Sequence, residues 1–350
     1  LSIKVNVPGK LIIVGEYAVL EGADALVAAI TRYVNAEISA SENKYCRLSG
    51  NLTTESITFL VDDLGEVVPT PGQSDQLLTT MNFAISIISH ICKKIKVLGI
   101  DISPFNLQID TSQFYLKENK LGLGSSAALT VALIVILSFF TGIEKRILSS
   151  KFDLFRFACE THFRAQGNQG SGIDIAASVN GGINIYNVNW IVDEGGDPIK
   201  TSIPVIEDLF ILPVWTGVSA STREFLVQVD KYKVEFESEY IDTMSRLVAL
   251  SESGCLAYKD KNCLDLLDII KDYYKVLYDF SCNSKIPIIS KIHQRIAEVV
   301  HSYGGIYKPS GAGGGDIGLA FSNSKEVLNK ISNDLLKNNV KTLSLGISKE

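Results

Sequence analysis

Gly122, Leu123, Gly124, Ser125, Ser126 and Ala127 form a run of mostly small residues directly ahead of an uncharged, strongly apolar segment. Glycines let backbone N–H groups come close to an anion, and a helix N-terminus adds unpaired donors and a favourable dipole. The two serine hydroxyls could ligate a magnesium ion or cap the helix. The run reads either as a phosphate cradle or as a capped helix, and its own residues do not choose between them. Two other nucleotide fingerprints fit poorly. The loop G-x-x-x-x-G-K-S/T needs a second glycine and a lysine that are missing here. A dinucleotide fingerprint is formally met by Gly122, Gly124 and Ala127, but it requires a strand running straight into the first glycine. Charged Lys117, Glu118 and Lys120 stand there instead.

Two further loops carry chemistry-bearing residues. Gly167, Gly170, Ser171 and Gly172 lead to Asp174, which is either an ordinary turn residue or a carboxylate brought near a phosphoryl acceptor by close-packed backbone. Lys308, Pro309 and Ser310 lead to Gly311, Ala312, Gly313, Gly314, Gly315 and Asp316. So many glycines destabilise a chain unless its backbone has a task. A nest of N–H groups around an anion is one such task; a tight crossing of two chain segments is another.

These loops need elements to hold them. Ile3 to Val7 reads as a strand that Pro8 and Gly9 break before the apolar run Leu11 to Val14. Val34, Ala36 and Ile38 alternate with Asn35, Glu37 and Ser39, the pattern of a half-buried strand. Helices are expected over Gln76–Ile95, Ala127–Phe140, Asp153–Gln166, Ile241–Leu250, Leu264–Tyr278 and Pro287–Tyr303. Strands are expected at Phe105–Ile109, Gly181–Tyr186, Phe210–Val214 and Ile317–Phe321. Helices and strands mix without a regular β-α-β rhythm, which favours α+β over a doubly wound sheet. A polar, glycine-containing stretch from Val192 to Ser202 is the candidate domain boundary.

The chain has 350 residues, enough for two domains, and a net charge of -6, which argues against a dedicated nucleic-acid binder. Its six cysteines show no C-x-x-C pair and read as free, mostly buried thiols. The apolar part of the uncharged segment, Ala127 to Phe140, is about 14 residues, too short for a bilayer core of about 30 Å. A soluble protein with a buried helix is expected.

In order along the chain, three groups resemble the motifs of the GHMP kinase superfamily. They are Pro8 to Leu11 continuing through Gly15, Glu16, Tyr17 and Ala18; Gly122 to Ala128; and Lys308 to Asp316. The resemblance spans the whole chain. Within the superfamily, Gly15 to Ala18, Ala165 to Asp174 and Trp215 to Thr222 are similar to the phosphomevalonate kinase family. Mevalonate kinases typically carry His where Tyr17 stands and Gly where Asp316 stands. One departure is Asn168, where the family commonly has Lys.

The resemblance implies an α+β fold, with a ribosomal S5 domain 2-like ATP-binding domain over 1–192 and a ferredoxin-like domain over 193–350. It implies ATP and Mg²⁺ as cofactors, the triphosphate lying over Gly122, Leu123, Gly124, Ser125, Ser126 and Ala127, with Ser126 as a magnesium ligand. Lys10 would bridge the γ-phosphate and the acceptor, and Asp174 would orient the acceptor or take its proton. Glu16, Tyr17, Ser171, Gly172, Ser221, Lys308, Ser310, Gly311, Ala312 and Gly313 would join Lys10 around the substrate. Arg164 and His162 are weaker candidates, the one equally a solvated helix face, the other equally a packed helix residue. The expected reaction is phosphorylation of 5-phosphomevalonate by a cytoplasmic monomer or homodimer, with no nucleic-acid or membrane partner. Mevalonate phosphorylation and a silent ligand sensor are the alternatives.

Overall fold

Strand β1 (Ser2–Val14) runs straight through Pro8 and Gly9, where the sequence suggests a break. Among the described residues β1 pairs only with β2 (Ala25–Ala40). With no neighbour on its other side, the missing Pro8 N–H breaks no ladder bond. The computed structural model describes residues 2–51, 53–167, 170–191 and 199–349. Helices and strands are mixed in an α+β fold, as expected. The chain forms two compact units: Leu1–Gly9, Arg32–Tyr115 and Gly124–Asn180 in one; Lys10–Thr31, Leu116–Leu123 and Gly181–Glu350 in the other. The boundary expected after residue 192 falls in 192–198, outside the described residues, as does Asn168.

In the first unit the far half of β2 pairs antiparallel with β6 (Phe105–Asp110), so that Asn35 faces Asp110 and Ala40 faces Phe105. The sheet continues through β3 (Cys46–Gly50), β4 (Ile57–Val61) and β5 (Val67–Pro69). Val34, Ala36, Ile38, Phe105, Leu107 and Ile109 are buried, as the alternation requires. Helices α1 (Asp75–Val97), α2 (Ser125–Phe140), α4 (Lys151–Gln166) and α5 (Ile173–Asn180) pack on one another, with short α3 (Glu144–Ile147) between. Helix α2 is buried nearly all round, which explains its lack of charge. Each of its buried Leu and Ile side chains contributes about 1.5–3 kcal/mol. No helix among the described residues is long and apolar enough to cross a membrane. Ser74 and Ser150 cap α1 and α4, accepting from the N–H groups of Leu77 and Asp153.

A short ribbon pairs β7 (Tyr115–Leu116) with β8 (Asn119–Lys120). In the second unit β9 (Ile183–Tyr186) pairs with the first half of β2 and with β10 (Ile199–Ile203). A second sheet has the order β12 (Ile306–Pro309), β13 (Ile317–Ser322), β11 (Phe210–Trp215), β14 (Lys341–Thr342). Its core joins Val214, Tyr307 and Ala320 to Ile296 and Val300 of α9 (Lys291–Ser302) and to Leu328 and Ile331 of α10 (Lys325–Lys337). Helices α6 (Thr222–Glu235), α7 (Glu237–Lys259) and α8 (Cys263–Ser284) complete the unit. Helix α7 is far longer than the Ile241–Leu250 expected from its pattern, because it continues through Gly254. A Cβ there would stand 3.2 Å from Val14 Cγ1, so this glycine serves a close approach to β1 rather than a stop. The six cysteines are free; Cys282 is exposed and the other five are buried.

Candidate active site

The glycine-rich loop between β12 and β13 is fastened from several sides. Ser310 Oγ accepts from the Ile12 N–H at 3.0 Å and donates to the Ile12 carbonyl at 2.9 Å. Tyr17 Oη donates to the Ala312 carbonyl at 2.5 Å. The Gly314 N–H donates to Ile288 O, and the Asp316 N–H to Val218 O. Among the described residues the N–H groups of Gly311, Ala312 and Gly313 have no protein acceptor. Part of the loop is the tight crossing that the sequence allows. A Cβ on Gly314 would lie 2.2 Å from the Phe225 ring and one on Gly315 2.4 Å from Val218 O, a tight crossing of segments. Gly311 instead faces Lys10, whose Nζ lies 3.8 Å from the place of a Cβ, and its N–H is one of the three without a protein acceptor.

Beneath this loop lies a buried ion pair. Lys308 Nζ donates to Glu16 Oε1 at 2.5 Å and to the Pro309 carbonyl at 2.8 Å, with both side chains inaccessible to solvent. Burial pushes the Lys308 ammonium down in pKa, Glu16 pulls it back up, and Lys10 pushes it down again. The Glu16 carbonyl accepts from Tyr273 Oη at 2.6 Å, while Glu16 Oε2 is buried without a hydrogen-bond partner. Tyr17 sits at φ 62°, ψ −46°, an unusual backbone for an aromatic residue. Its hydroxyl is pushed up in pKa by burial and then by Glu16, so it remains a donor to the loop. Lys308, Glu16 and Tyr17, expected around a substrate, thus face one another and the loop.

Lys10 is 6% exposed, and its N–H donates to the Leu123 carbonyl at 2.9 Å, joining β1 to the Gly122 run. Asp316 joins that run as well. It lies at φ 53°, and Gly122, at φ 74°, presents a bare Cα to it: a Cβ there would stand 2.4 Å from Asp316 Cβ. Asp316 Oδ1 accepts from the Ala220 N–H at 3.3 Å. Burial pushes its carboxyl up in pKa, against the Ala220 N–H and the charges of Lys10 and Lys120. The next residue, Ser221, caps α6 by accepting from Glu224 N–H.

In the first unit the N-cap of α2 is Gly124, at φ 81°, and no side chain caps the helix. The capping alternative for Ser125 and Ser126 therefore falls. The first helical bond runs from the Ala128 N–H to Gly124 O. Ser125 is buried and Ser126 half-buried. Asp174, expected in a loop, lies in the first turn of the short helix α5, where the helix end favours a carboxylate. Ser171 Oγ accepts from the Ile173 N–H at 3.4 Å beside Gly172, at φ 82°, so this segment turns the chain into α5. Ser178 Oγ, which the sequence did not mark, donates to the Pro8 carbonyl at 2.9 Å and ties α5 to β1. His162 is buried edge-on to the Phe83 ring at 6.0 Å, and exposed Arg164 pairs with Glu160 at 3.3 Å. Those are packing and surface positions.

Known proteins resemble this chain. Residues 82–182 match the family described as GHMP kinases, N terminal domain. A mevalonate kinase from Thermococcus sibiricus is 30% identical over 269 residues, covering 75% of this chain and 72% of the relative. The chain belongs to the GHMP kinase superfamily. As a GHMP kinase it is an ATP-dependent phosphotransferase. A phosphomevalonate kinase from a Streptomyces species is 25% identical over 337 residues, 90% of this GHMP kinase and 88% of the relative. The solved structure of Streptococcus pneumoniae phosphomevalonate kinase, in complex with phosphomevalonate and AMPPNP, superposes with a TM-score of 0.78 at 21% identity, covering 99% of each chain. That likeness is one of fold.

Proposed function

We propose that this GHMP kinase acts in the mevalonate route and transfers the γ-phosphoryl group of ATP to 5-phosphomevalonate, giving 5-diphosphomevalonate and ADP. An acceptor phosphate oxygen bonds to Pγ while the bond from Pγ to the ADP oxygen breaks. The observation that carries the choice is Asp316, packed on Gly122 where the mevalonate kinase pattern has glycine. The near full-length likeness to a phosphomevalonate kinase supports it.

The uncapped first turn of α2 fits a triphosphate, offering N–H donors and the Ser126 hydroxyl where no side chain competes. Magnesium, when bound, neutralises charge on the phosphoryl group being moved. Among the described residues no group of three or more His, Cys, Asp or Glu could hold a metal. Nucleotide oxygens and water would therefore supply most ligands beside Ser126. Lys10 acts as a point charge that screens donor and acceptor phosphates. A phosphate monoester, with a second pKa of about 6, is largely anionic at neutral pH. Asp174 then orients the acceptor more than it removes a proton. The open N–H groups of Gly311, Ala312 and Gly313 receive an anionic group of the substrate.

Mevalonate kinase activity is the second reading, favoured by the Thermococcus sibiricus relative and by Asn168 in place of lysine. A coupled ADP-release assay with MgATP and 5-phosphomevalonate, mevalonate or no acceptor separates the two. Turnover with 5-phosphomevalonate alone supports the proposal; turnover with mevalonate alone replaces it.

A further inference from the structure

His293, on α9, is fully buried and touches the glycine-rich loop, yet no role has been given to it. Its Nδ1 lies 2.8 Å from Tyr307 Oη and its Nε2 3.1 Å from the Gly315 carbonyl oxygen. A carbonyl only accepts, so Nε2 carries a proton and donates to it. Burial pushes the imidazole pKa down to about 4, which keeps the ring neutral and Nδ1 an acceptor for the Tyr307 hydroxyl. Tyr307 is fixed in turn. It is fully buried in the core of the second sheet, and its hydroxyl occupies space that exists only because residue 318 is glycine. A Cβ there would stand 1.9 Å from it.

The Gly315–Asp316 peptide is also held at its other end, where the Asp316 N–H donates to Val218 O at 2.6 Å. Carbonyl and N–H belong to one rigid plane, so anchoring both fixes the orientation of that plane. Asp316 leaves this plane at φ 53° with its side chain against Gly122. Tyr307, His293 and this peptide thus form a continuous chain of hydrogen bonds from the core to the loop.

We propose that His293 is a positioning residue for phosphoryl transfer, setting the 311–316 loop through the Gly315–Asp316 peptide and holding Asp316 against Gly122. The role rests on the reading of that loop as facing the substrate. Glutamine is the informative replacement, because one amide can donate to Gly315 O and accept from the Tyr307 hydroxyl. Alanine removes both bonds.

The test compares wild type, His293→Ala and His293→Gln in the full chain. Amide exchange over residues 310–318 is followed by mass spectrometry, and kcat and KM for 5-phosphomevalonate are measured by ADP release. The expected result for His293→Ala is faster exchange in this segment, with α4 still protected, and a loss of about 10–100-fold in kcat/KM. His293→Gln is expected to restore both most of the way. Wild-type exchange and kinetics in His293→Ala would overturn the proposal. So would a loss of activity that only tracks the unfolded fraction and that glutamine does not rescue. If wild type turns over neither acceptor, the functional reading falls, while the exchange contrast between alanine and glutamine still decides the clamp. Should His293→Ala not fold, Tyr307→Phe is measured in its place, and unchanged exchange over 310–318 would overturn the proposal.

Discussion

The N-terminus of α2 and the loop from Ser310 to Asp316 both offer backbone N–H groups, but they are organised in opposite ways. The α2 end owes its geometry to the helix behind it; Gly124 is its cap and no side chain makes a capping hydrogen bond there. The loop has no helix behind it. Its shape depends on Ser310, Tyr17, His293 and Val218, and on the Glu16–Lys308 pair beneath. A helix end is an anion site in its own right, whereas an irregular loop becomes one only when its surroundings over-determine it. Substitutions around the loop should therefore change stability and function together, and those at the α2 end should change function alone.

The largest effect is expected beneath the loop. Glu16→Gln leaves the Lys308 charge buried and unpaired, which should cost about 3–5 kcal/mol in urea unfolding. A loss below about 1 kcal/mol would show that the loop does not depend on this pair. Tyr17→Phe should cost about 1–3 kcal/mol, since the Ala312 carbonyl loses its donor, and should raise the KM for the acceptor. Unchanged stability and KM would remove Tyr17 from the fastening.

Asp316 sharpens the comparison through pH. Burial raises its folded pKa, so the folded form keeps the proton to higher pH than the unfolded chain does. Its contribution to stability is therefore greatest at acid pH and is lost as pH rises through the raised value. Asp316→Asn, a residue that tolerates positive φ, should raise Tm at pH 7.5, with the gain shrinking towards pH 4, while lowering activity. A gain that grows towards acid pH would contradict the shift. The smallest stability effect is expected at the α2 end. Ser126→Ala should stay within about 0.5 kcal/mol of wild type while weakening MgATP binding in calorimetry; unchanged affinity would remove Ser126 from the nucleotide site.

Much of this contrast could be read in the sequence, and the parts that could not share a physical cause. Helices α1, α4 and α8 were legible because a periodic apolar face reports itself within a few turns, and α2 because an uncharged apolar run of its length marks a buried helix. The order of the three glycine-containing motifs was equally plain. Lys308 and Glu16 are 292 positions apart, and nothing local in either segment says that one neutralises the other. The same holds for Asp316 against Gly122 and for Gly254 against Val14. Those glycines answer to distant neighbours, so a reading by turn chemistry misassigns them. Helix α5 was missed because eight residues behind a glycine run are too few to show a period. Asp174 was read as a loop residue for that reason.

The central claim is the chemistry at the acceptor. ³¹P NMR of the enzyme with MgATP and 5-phosphomevalonate tests it most directly. The account predicts that the phosphomonoester resonance gives way to two coupled diphosphate resonances as the ATP γ signal is lost. An unchanged phosphomonoester, with mevalonate phosphorylated under the same conditions, would contradict it.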